Sequence, residues 1–168
     1  MNSESEEEID FISGGIELLD SIETMWLKLK DFHIDQFPIW RDGLQLGSFQ
    51  ERQSGFKEIA ESGAILIEIA RQGDRSRGFC VTTITPEGVG EIASLYVEEE
   101  FRQQGLGSSF VKQALQWLRD YNVERIVVDV MAGNTSALNL YEQAGFQCRV
   151  QQMQFVAPIS QDGKISRP

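Results

Sequence analysis

The sequence predicts an α+β fold in which one mixed, mostly antiparallel sheet is flanked by about four helices. Residues 16–61 carry apolar side chains at helical spacing, whereas residues 64–97 contain runs with the shorter period of strands. A third observation is the helical stripe over 110–118, which is followed by a β-branched run at 126–130. A strand, a helix and a second strand in this order favour a parallel crossover, so the sheet is predicted to combine a meander with a crossover.

The first third of the chain is predicted to be helical after one short strand. Ile9 to Ser13 form that strand, and Gly14-Gly15 separates it from a helix that begins near Ile16. The apolar stripe of this helix recurs every three or four residues, at Leu18, Ile22, Met25, Leu29 and Phe32. A second helix is predicted from Ser48 to Glu61, and Gly63 ends it.

The sheet is predicted to continue with three antiparallel strands at 64–70, 77–85 and 89–97. Gly73-Asp74 and the segment 86–88 supply the turns between them. After the crossover, Asn134 can cap a short helix that ends at Gly145, and a last strand runs from Phe146 to about Val156. The expected total is six strands.

The length of 168 residues suits a single domain, predicted over 9–157, with a disordered acidic tail at 1–8 and an irregular tail at 158–168. Lys and Arg number 15 against 26 Asp and Glu, and the net charge of −11 repels nucleic acid. Such a charge suits a cationic substrate or partner, or it only keeps the protein soluble. The N-terminus lacks the basic start and apolar stretch of a signal peptide, and no apolar run could span a membrane. We therefore expect a cytoplasmic protein with neither nucleic acid nor membrane as its partner.

Cysteine and histidine are too few for a metal or disulfide framework. The chain has Cys80, Cys148 and a single histidine, His33, without any CxxC motif. No metal site is expected, and both cysteines are predicted to be buried, reduced thiols.

The segment ASLYVEEEFRQQGLGSSFVKQAL carries the strongest chemical signal. A strand leads into a loop with Gly105 and Gly107, and a helix starts at once, so bare backbone N–H groups are predicted at a helix N-terminus, where anions bind. Arg102 can add a charged contact and Ser108 a hydroxyl. A dinucleotide fingerprint would need a third glycine where Phe110 stands, and the Gly-Lys-Ser/Thr of an ATPase loop is missing. A structural turn and a coenzyme A pyrophosphate loop remain as alternatives.

The order strand, RQQGLG, helix, strand and NTSALNLYEQAGF resembles the GNAT family of N-acetyltransferases. The resemblance extends firmly from Glu91 to Phe146. It implies a sheet of six or seven strands with a splayed parallel central pair. Six strands are evident, and the seventh is absent, formed by 157–165, or supplied by a partner chain. It also implies direct transfer of an acetyl group from acetyl-CoA to a primary amine.

The resemblance assigns a coenzyme A site by position. The main chain of Leu95, Tyr96 and Val97 is expected to pair with pantetheine, and a backbone N–H near Leu95 is expected to polarise the thioester carbonyl. The pyrophosphate is expected on the loop formed by Arg102, Gln103, Gln104, Gly105, Leu106, Gly107 and Ser108. Asn134, Ala137 and Tyr141 are expected along the pantetheine arm. Gln104 departs from the family pattern, in which arginine is common, and this favours weaker coenzyme A binding.

Two residues are the catalytic candidates that the resemblance implies. Tyr141 is expected to protonate the departing thiolate, because a phenol of pKa ~10 lies only modestly above a thiol of ~8.5. The alternative is that Tyr141 only packs its helix. Glu91 is expected to take the proton of the acceptor amine, and the alternatives are an edge carboxylate in solvent or a charge that attracts the acceptor. Strand alternation places Glu91, Ala93 and Leu95 on one face unless a bulge reverses the register.

The acceptor side is the least specified by the sequence. His33, together with Phe37 and Trp40 in the loop that follows, is expected to line the acceptor site. The acceptor is left open between a small-molecule amine and a peptide or protein amine, and the assembly between a monomer and a homodimer. A non-catalytic sensor or scaffold module that binds acyl-CoA is the alternative function.

Overall fold

The computed structural model of the chain describes residues 8–36 and 47–153. Within these ranges five strands form one sheet in the order β1-β2-β3-β4-β5. The strands are β1 (Ile9–Gly14), β2 (Ala64–Gln72), β3 (Arg75–Ile84), β4 (Val89–Val97) and β5 (Arg125–Val127). The α-helices are α1 (Leu19–Gln36), α2 (Phe49–Ser62), α3 (Leu106–Asp120) and α4 (Thr135–Gln143). None of the helices in the described ranges is both long enough and apolar enough to cross a bilayer.

The sheet combines a meander with a crossover, as the sequence predicts. Each of the strands β1 to β4 is antiparallel to the next, and β5 is parallel to β4 after the crossover helix α3. Helix α3 approaches β4 so closely that a Cβ on Gly90 would lie 2.6 Å from Cδ2 of Leu118. Gly90 therefore permits the close helix–sheet packing that the crossover requires.

Helices cover both faces of the sheet. The α1–α2 face is the side on which Trp26, Phe56, Ile67 and Phe79 form one buried cluster. The α3–α4 face is the side on which Cys80, Phe110, Ala114 and Tyr141 form a second cluster. Burying a side chain such as Phe56 or Phe110 contributes roughly 2 kcal/mol, so the two clusters fix the helices on the sheet.

The predicted helix boundaries have local causes in side-chain capping. Ser48 Oγ accepts a hydrogen bond from the Glu51 N–H at 3.2 Å, and the Ser48 N–H donates to Glu51 Oε2 at 2.6 Å. This reciprocal capping box satisfies two N–H groups that have no partner within α2. At the other end, Gly63 is the C-cap residue, as predicted. Asn134 likewise caps α4, since its Oδ1 accepts from the Ala137 N–H at 3.1 Å.

The predicted strand count is wrong for the described part of the chain, which contains five strands and not six or seven. Residues 146–153 form no strand, and Val150 and Met153 are 79% and 88% exposed. A strand needs a neighbour that takes its N–H and C=O groups, and no described strand pairs with this segment. Cys148 lies in the same segment and is exposed, so its predicted burial is wrong, whereas Cys80 is buried. Residues 154–168, including the proposed seventh strand, and residues 1–7 lie outside the described ranges.

Candidate active site

A β-bulge in β4 decides which side chains face which side of the sheet. Val81 pairs with Ser94 and Thr82 with Ile92, so Ala93 is an extra residue without a partner in β3. Ala93 packs on the α1–α2 face, whereas Leu95 packs on the α3–α4 face. The bulge that the sequence analysis gives as the alternative is therefore present, and it reverses the alternation between Ala93 and Leu95. Glu91 lies on the α1–α2 face with Ala93.

The bulge coincides with the end of the parallel ladder. Strand β5 pairs with β4 at only three positions, and the last pair is Glu91 with Val127. Residues 92–97 of β4 continue without a β5 partner, and this stretch is named the β4–β5 gap. Backbone polar groups on this edge can pair with a ligand that reaches into the gap, although the carbonyls of Ala93 and Val97 already accept from side chains. Leu95, Tyr96 and Val97, the residues expected to pair with pantetheine, all lie on this stretch.

Helix α3 begins with an N-terminus that has no side-chain cap. Gly105 is the N-cap residue, with φ of 86°, and no acidic residue follows in the first turn. The first N–H donor to the helix backbone is Ser109, which donates to the Gly105 carbonyl at 2.9 Å. The N–H groups of Leu106, Gly107 and Ser108 thus precede the first helical hydrogen bond. Because α2 and α4 both begin with capping side chains, the bare end of α3 suits an anionic ligand.

The two glycines of this loop have different roles. A Cβ on Gly105 would meet nothing within 4 Å, so Gly105 serves the positive φ and leaves the helix end open. A Cβ on Gly107 would lie 3.4 Å from Cδ2 of Leu140, so this position faces α4. Gln103 also has a positive φ, of 59°. The open approach to the N–H groups is therefore on the Gly105 side of the loop.

Two loop side chains that are expected at the pyrophosphate make contacts within the protein. The Arg102 Nε proton is donated to the Val97 carbonyl at 3.0 Å, and the guanidinium lies 4.9 Å from the centroid of the Phe32 ring. Gln104 Nε2 donates to the Glu100 carbonyl at 2.6 Å. These contacts tie the loop to β4 and α1. A contact between Arg102 and a phosphate stays a prediction.

Tyr141 lies in the buried cluster of the α3–α4 face. Its ring makes an edge contact with Phe146, with 5.6 Å between the centroids. Burial raises the pKa of Tyr141 well above its ordinary value, and nearby Cys80 adds a smaller effect in the same direction. Cys80 is also the cross-strand partner of Leu95. The fold therefore brings Tyr141 and Leu95 to the same face. The raised pKa makes the buried phenol a weaker acid than a free phenol, so proton donation to the thiolate stays a prediction.

A groove runs between α3 and α4, next to the open helix end. Its volume is about 360 Å³. Its walls are formed by Ser108, Val111, Lys112, Leu115, Arg119, Leu140, Gln143 and Ala144. Lys112 and Arg119 are exposed and place two positive charges in walls that apolar and polar side chains form in equal number. The sequence analysis missed this α3–α4 groove, although Ser108, Lys112, Leu115 and Arg119 share one helical face.

Glu91 is half-buried at the last rung of the parallel ladder. Burial raises its pKa, Asp129 raises it further, and Arg52 lowers it. Thr83 is its cross-strand partner on β3, and the Thr83 hydroxyl is buried without a hydrogen-bond partner among the described residues. A carboxylate with a raised pKa at the edge of a gap is suited to accept a proton. Arg52, Thr83 and Asp129 were not found by the sequence analysis.

The family model described as the acetyltransferase (GNAT) family matches residues 26–146. The chain belongs to the GNAT family. Among its relatives is the uncharacterized N-acetyltransferase YobR of Bacillus subtilis (strain 168), which is 29% identical over 111 residues and aligned over 64% of this chain and 45% of its own length. The aminoglycoside N(6')-acetyltransferase type 1 of Klebsiella aerogenes is 31% identical over 120 residues, covering 64% of this chain and 76% of its own. The GNAT chain thus aligns with less than half of the Bacillus relative.

Solved structures share the GNAT fold with this chain. The aminoglycoside acetyltransferase meta-AAC0020 from an uncultured soil metagenomic sample, in complex with sisomicin, has a TM-score of 0.62 at 13% identity, over 90% of this chain and 97% of its own. The aminoglycoside N-acetyltransferase AAC(6')-Iy in complex with CoA has a TM-score of 0.57 at 16% identity, over 89% and 94%. At these identities the likeness establishes a common fold.

The residues that are expected at the acceptor site of this GNAT chain are His33, Phe37 and Trp40. His33 lies half-buried in the last turn of α1, its ring centroid is 5.8 Å from that of Phe32, and burial lowers its pKa. Phe37 and Trp40 lie outside the described residues. No group of three or more His, Cys, Asp or Glu residues in 8–36 and 47–153 is arranged to hold a metal ion.

Proposed function

We propose that this GNAT protein transfers an acetyl group from acetyl-CoA to a primary amine. The observation that carries the proposal is the bare N-terminus of α3, which is joined by the loop 98–105 to the strand that borders the β4–β5 gap. An anion site and an open strand edge in succession suit a ligand with phosphates at one end and amide groups along its arm. Coenzyme A has this chemistry.

The donor side is formed by the backbone more than by side chains. The N–H groups of Leu106, Gly107 and Ser108 would hold the pyrophosphate, and the edge of β4 in the gap would pair with the pantetheine amides. Lys112, exposed on the wall of the α3–α4 groove, would face the phosphate on the ribose. Asn134 and Ala137 support this arrangement through the cap of α4, the helix that carries Tyr141.

The chemistry then needs one base, one acid and a polarising N–H group. Acetyl-CoA supplies the activated thioester. The N–H near Leu95 would stabilise negative charge on the thioester oxygen. This electrostatic stabilisation is stronger in a site sheltered from water. Glu91 would remove the proton from the acceptor amine, whose ordinary pKa is ~10.4. Because burial raises the pKa of Glu91, the difference between the pKa values of the amine and the carboxyl is smaller than for a free glutamate. Tyr141 would donate its proton to the thiolate that leaves.

The acceptor is proposed to be a cationic amine that enters from the α1–α2 face. The net charge of −11 supports attraction of such a compound, and Glu91 with Asp129 supplies negative charge at the gap. Two kinds of acceptor fit this description, a small-molecule amine and the amine of a peptide or protein. Location in the cytoplasm and assembly as a monomer or homodimer stay predictions.

A thiol-release assay with acetyl-CoA and a panel of amines tests the proposal. The panel should contain aminoglycosides, polyamines and peptides with free N-terminal or lysine amines, and calorimetry should measure coenzyme A binding in parallel. We expect coenzyme A to bind and at least one amine class to release thiol. Binding without turnover on any amine would instead favour the acyl-CoA sensor. Absence of binding would contradict both functions.

A further inference from the structure

Arg52 links α2 to the bulge in β4. Its Nη2 donates to the Ala93 carbonyl at 2.7 Å, although the two residues are 41 positions apart. The guanidinium lies 4.4 Å from the centroid of the Phe56 ring, and Phe56 is only 1% exposed. Burial opposes the charge on Arg52, whereas Glu91 favours it. A half-buried cation thus has one hydrogen-bonded carbonyl, one aromatic face and one acidic neighbour.

The carbonyl that Arg52 contacts belongs to the residue that β3 leaves unpaired. A bulged residue interrupts the ladder, so its backbone groups need another partner if they are shielded from water. The Ala93 carbonyl accepts from the neighbouring Ser94 hydroxyl at 2.7 Å and from Arg52 at 2.7 Å, and of these two donors Arg52 is the one that ties the bulge to another element, α2. Because the bulge turns Glu91 and Leu95 to opposite faces, the contact stabilises the strand at the point where the acceptor and donor sides separate.

We propose that Arg52 is a positioning residue, which holds the β4 bulge through the Ala93 carbonyl and keeps a fixed positive charge beside the Glu91 carboxylate. The inference deepens the proposed function, on which its catalytic meaning rests. The groups that face Glu91 are Arg52 from α2, Thr83 from β3 and Asp129 after β5. Arg52 is the cation among them, so it opposes both the burial of Glu91 and the charge of Asp129.

Arg52 affects the fraction of Glu91 that is ionised at neutral pH. Glu91 must be a carboxylate to accept a proton, and burial alone favours its neutral form. Arg52 offsets part of this effect, because a positive charge on the same side of the sheet stabilises the ionised carboxyl. Removal of the positive charge should raise the pH at which Glu91 titrates and move the acidic limb of activity in the same direction.

The direct test is a carbon-13 NMR titration of the Glu91 carboxyl in the full chain, with the signal assigned by its loss in Glu91→Gln. Arg52→Gln removes the charge but keeps an N–H donor for Ala93, and we expect the Glu91 midpoint to rise by about one pH unit. Arg52→Lys keeps the charge, and its midpoint should stay near the wild-type value. Lys57→Met removes an exposed charge from the same helix and should change nothing.

An unchanged midpoint in folded Arg52→Gln would overturn the inference. If that variant does not fold, Arg52→Met provides a second removal of the charge. For each variant, the acidic limb of kcat/KM should move with the NMR midpoint, and Arg52→Gln should cause no such movement in a Glu91→Gln background. If Arg52 were purely structural, its substitution would lower kcat and the melting temperature but would move neither the NMR midpoint of Glu91 nor the acidic limb of kcat/KM. If no amine is acetylated, the proposed function fails, while the titration still decides the role of Arg52.

Discussion

Glu68 offers the sharpest test of how the sheet is packed. It lies on β2 between Ser13 of β1 and Cys80 of β3, is 2% exposed, and its Oε2 has no hydrogen-bond partner among the described residues. Burial raises the pKa of Glu68 from 4.5 to about 7. The perturbation is Glu68→Gln, which keeps the shape of the side chain and removes its titration.

The magnitude follows from the two pKa values. Between pH 4.5 and 7 the folded protein keeps a proton that the unfolded chain has lost, so the free energy of unfolding falls as the pH rises. At about 1.4 kcal/mol per pH unit, the full interval corresponds to roughly 3 kcal/mol, of which roughly 2.5 kcal/mol lies between about pH 5 and pH 8. The amide of Glu68→Gln does not titrate. The variant's stability relative to wild type should therefore increase by that amount across this range.

Urea unfolding, followed by circular dichroism at about pH 5, 6, 7 and 8, measures this difference. Any constant cost of the amide cancels, because only the change with pH is compared. Glu58→Gln is the matched control, since Glu58 is exposed on α2 and the same substitution there should give a difference that is flat with pH. If Glu68→Gln also gives a flat difference, within about 0.5 kcal/mol, the carboxyl is not buried as the structure has it.

Four further substitutions test the site. Ser108→Glu places an acid in the first turn of α3, so calorimetry should show coenzyme A affinity reduced at least about 10-fold while the melting temperature is kept or raised. Lys112→Met should weaken coenzyme A by roughly 3- to 10-fold but leave dephospho-coenzyme A unaffected, which a paired calorimetric titration checks. Tyr141→Phe should lower turnover by roughly 10- to 1,000-fold with cofactor affinity nearly unchanged, and wild-type turnover when chemistry is rate-limiting would assign Tyr141 to packing alone. Glu91→Gln should remove the acidic inflection of the pH profile, whereas a raised acceptor KM with unchanged kcat would indicate an acceptor-binding charge.

The elements themselves follow from short-range information in the sequence. The stripe from Leu18 to Phe32 predicts α1, and Ser48 and Asn134 cap α2 and α4 through N–H groups that are three residues away. The loop with Gly105 precedes the bare end of α3, as its motif indicates. Each of these signals is local, because a helix period, a cap or a positive φ involves residues within one or two turns. The sequence by itself therefore determined the order of the described helices and strands apart from the predicted sixth strand, the crossover, and the position of the bare helix end.

Only the tertiary structure decided which side chains meet at the gap. The extra residue Ala93 reverses the face of Glu91 relative to Leu95, and no alternation pattern in β4 announces it. Arg52 reaches Ala93 from 41 residues away. The raised pKa of Glu68 likewise depends on neighbours from other strands. These features depend on register and burial, which arise when distant segments pack together, whereas periodicity records only which face of its own element a residue occupies.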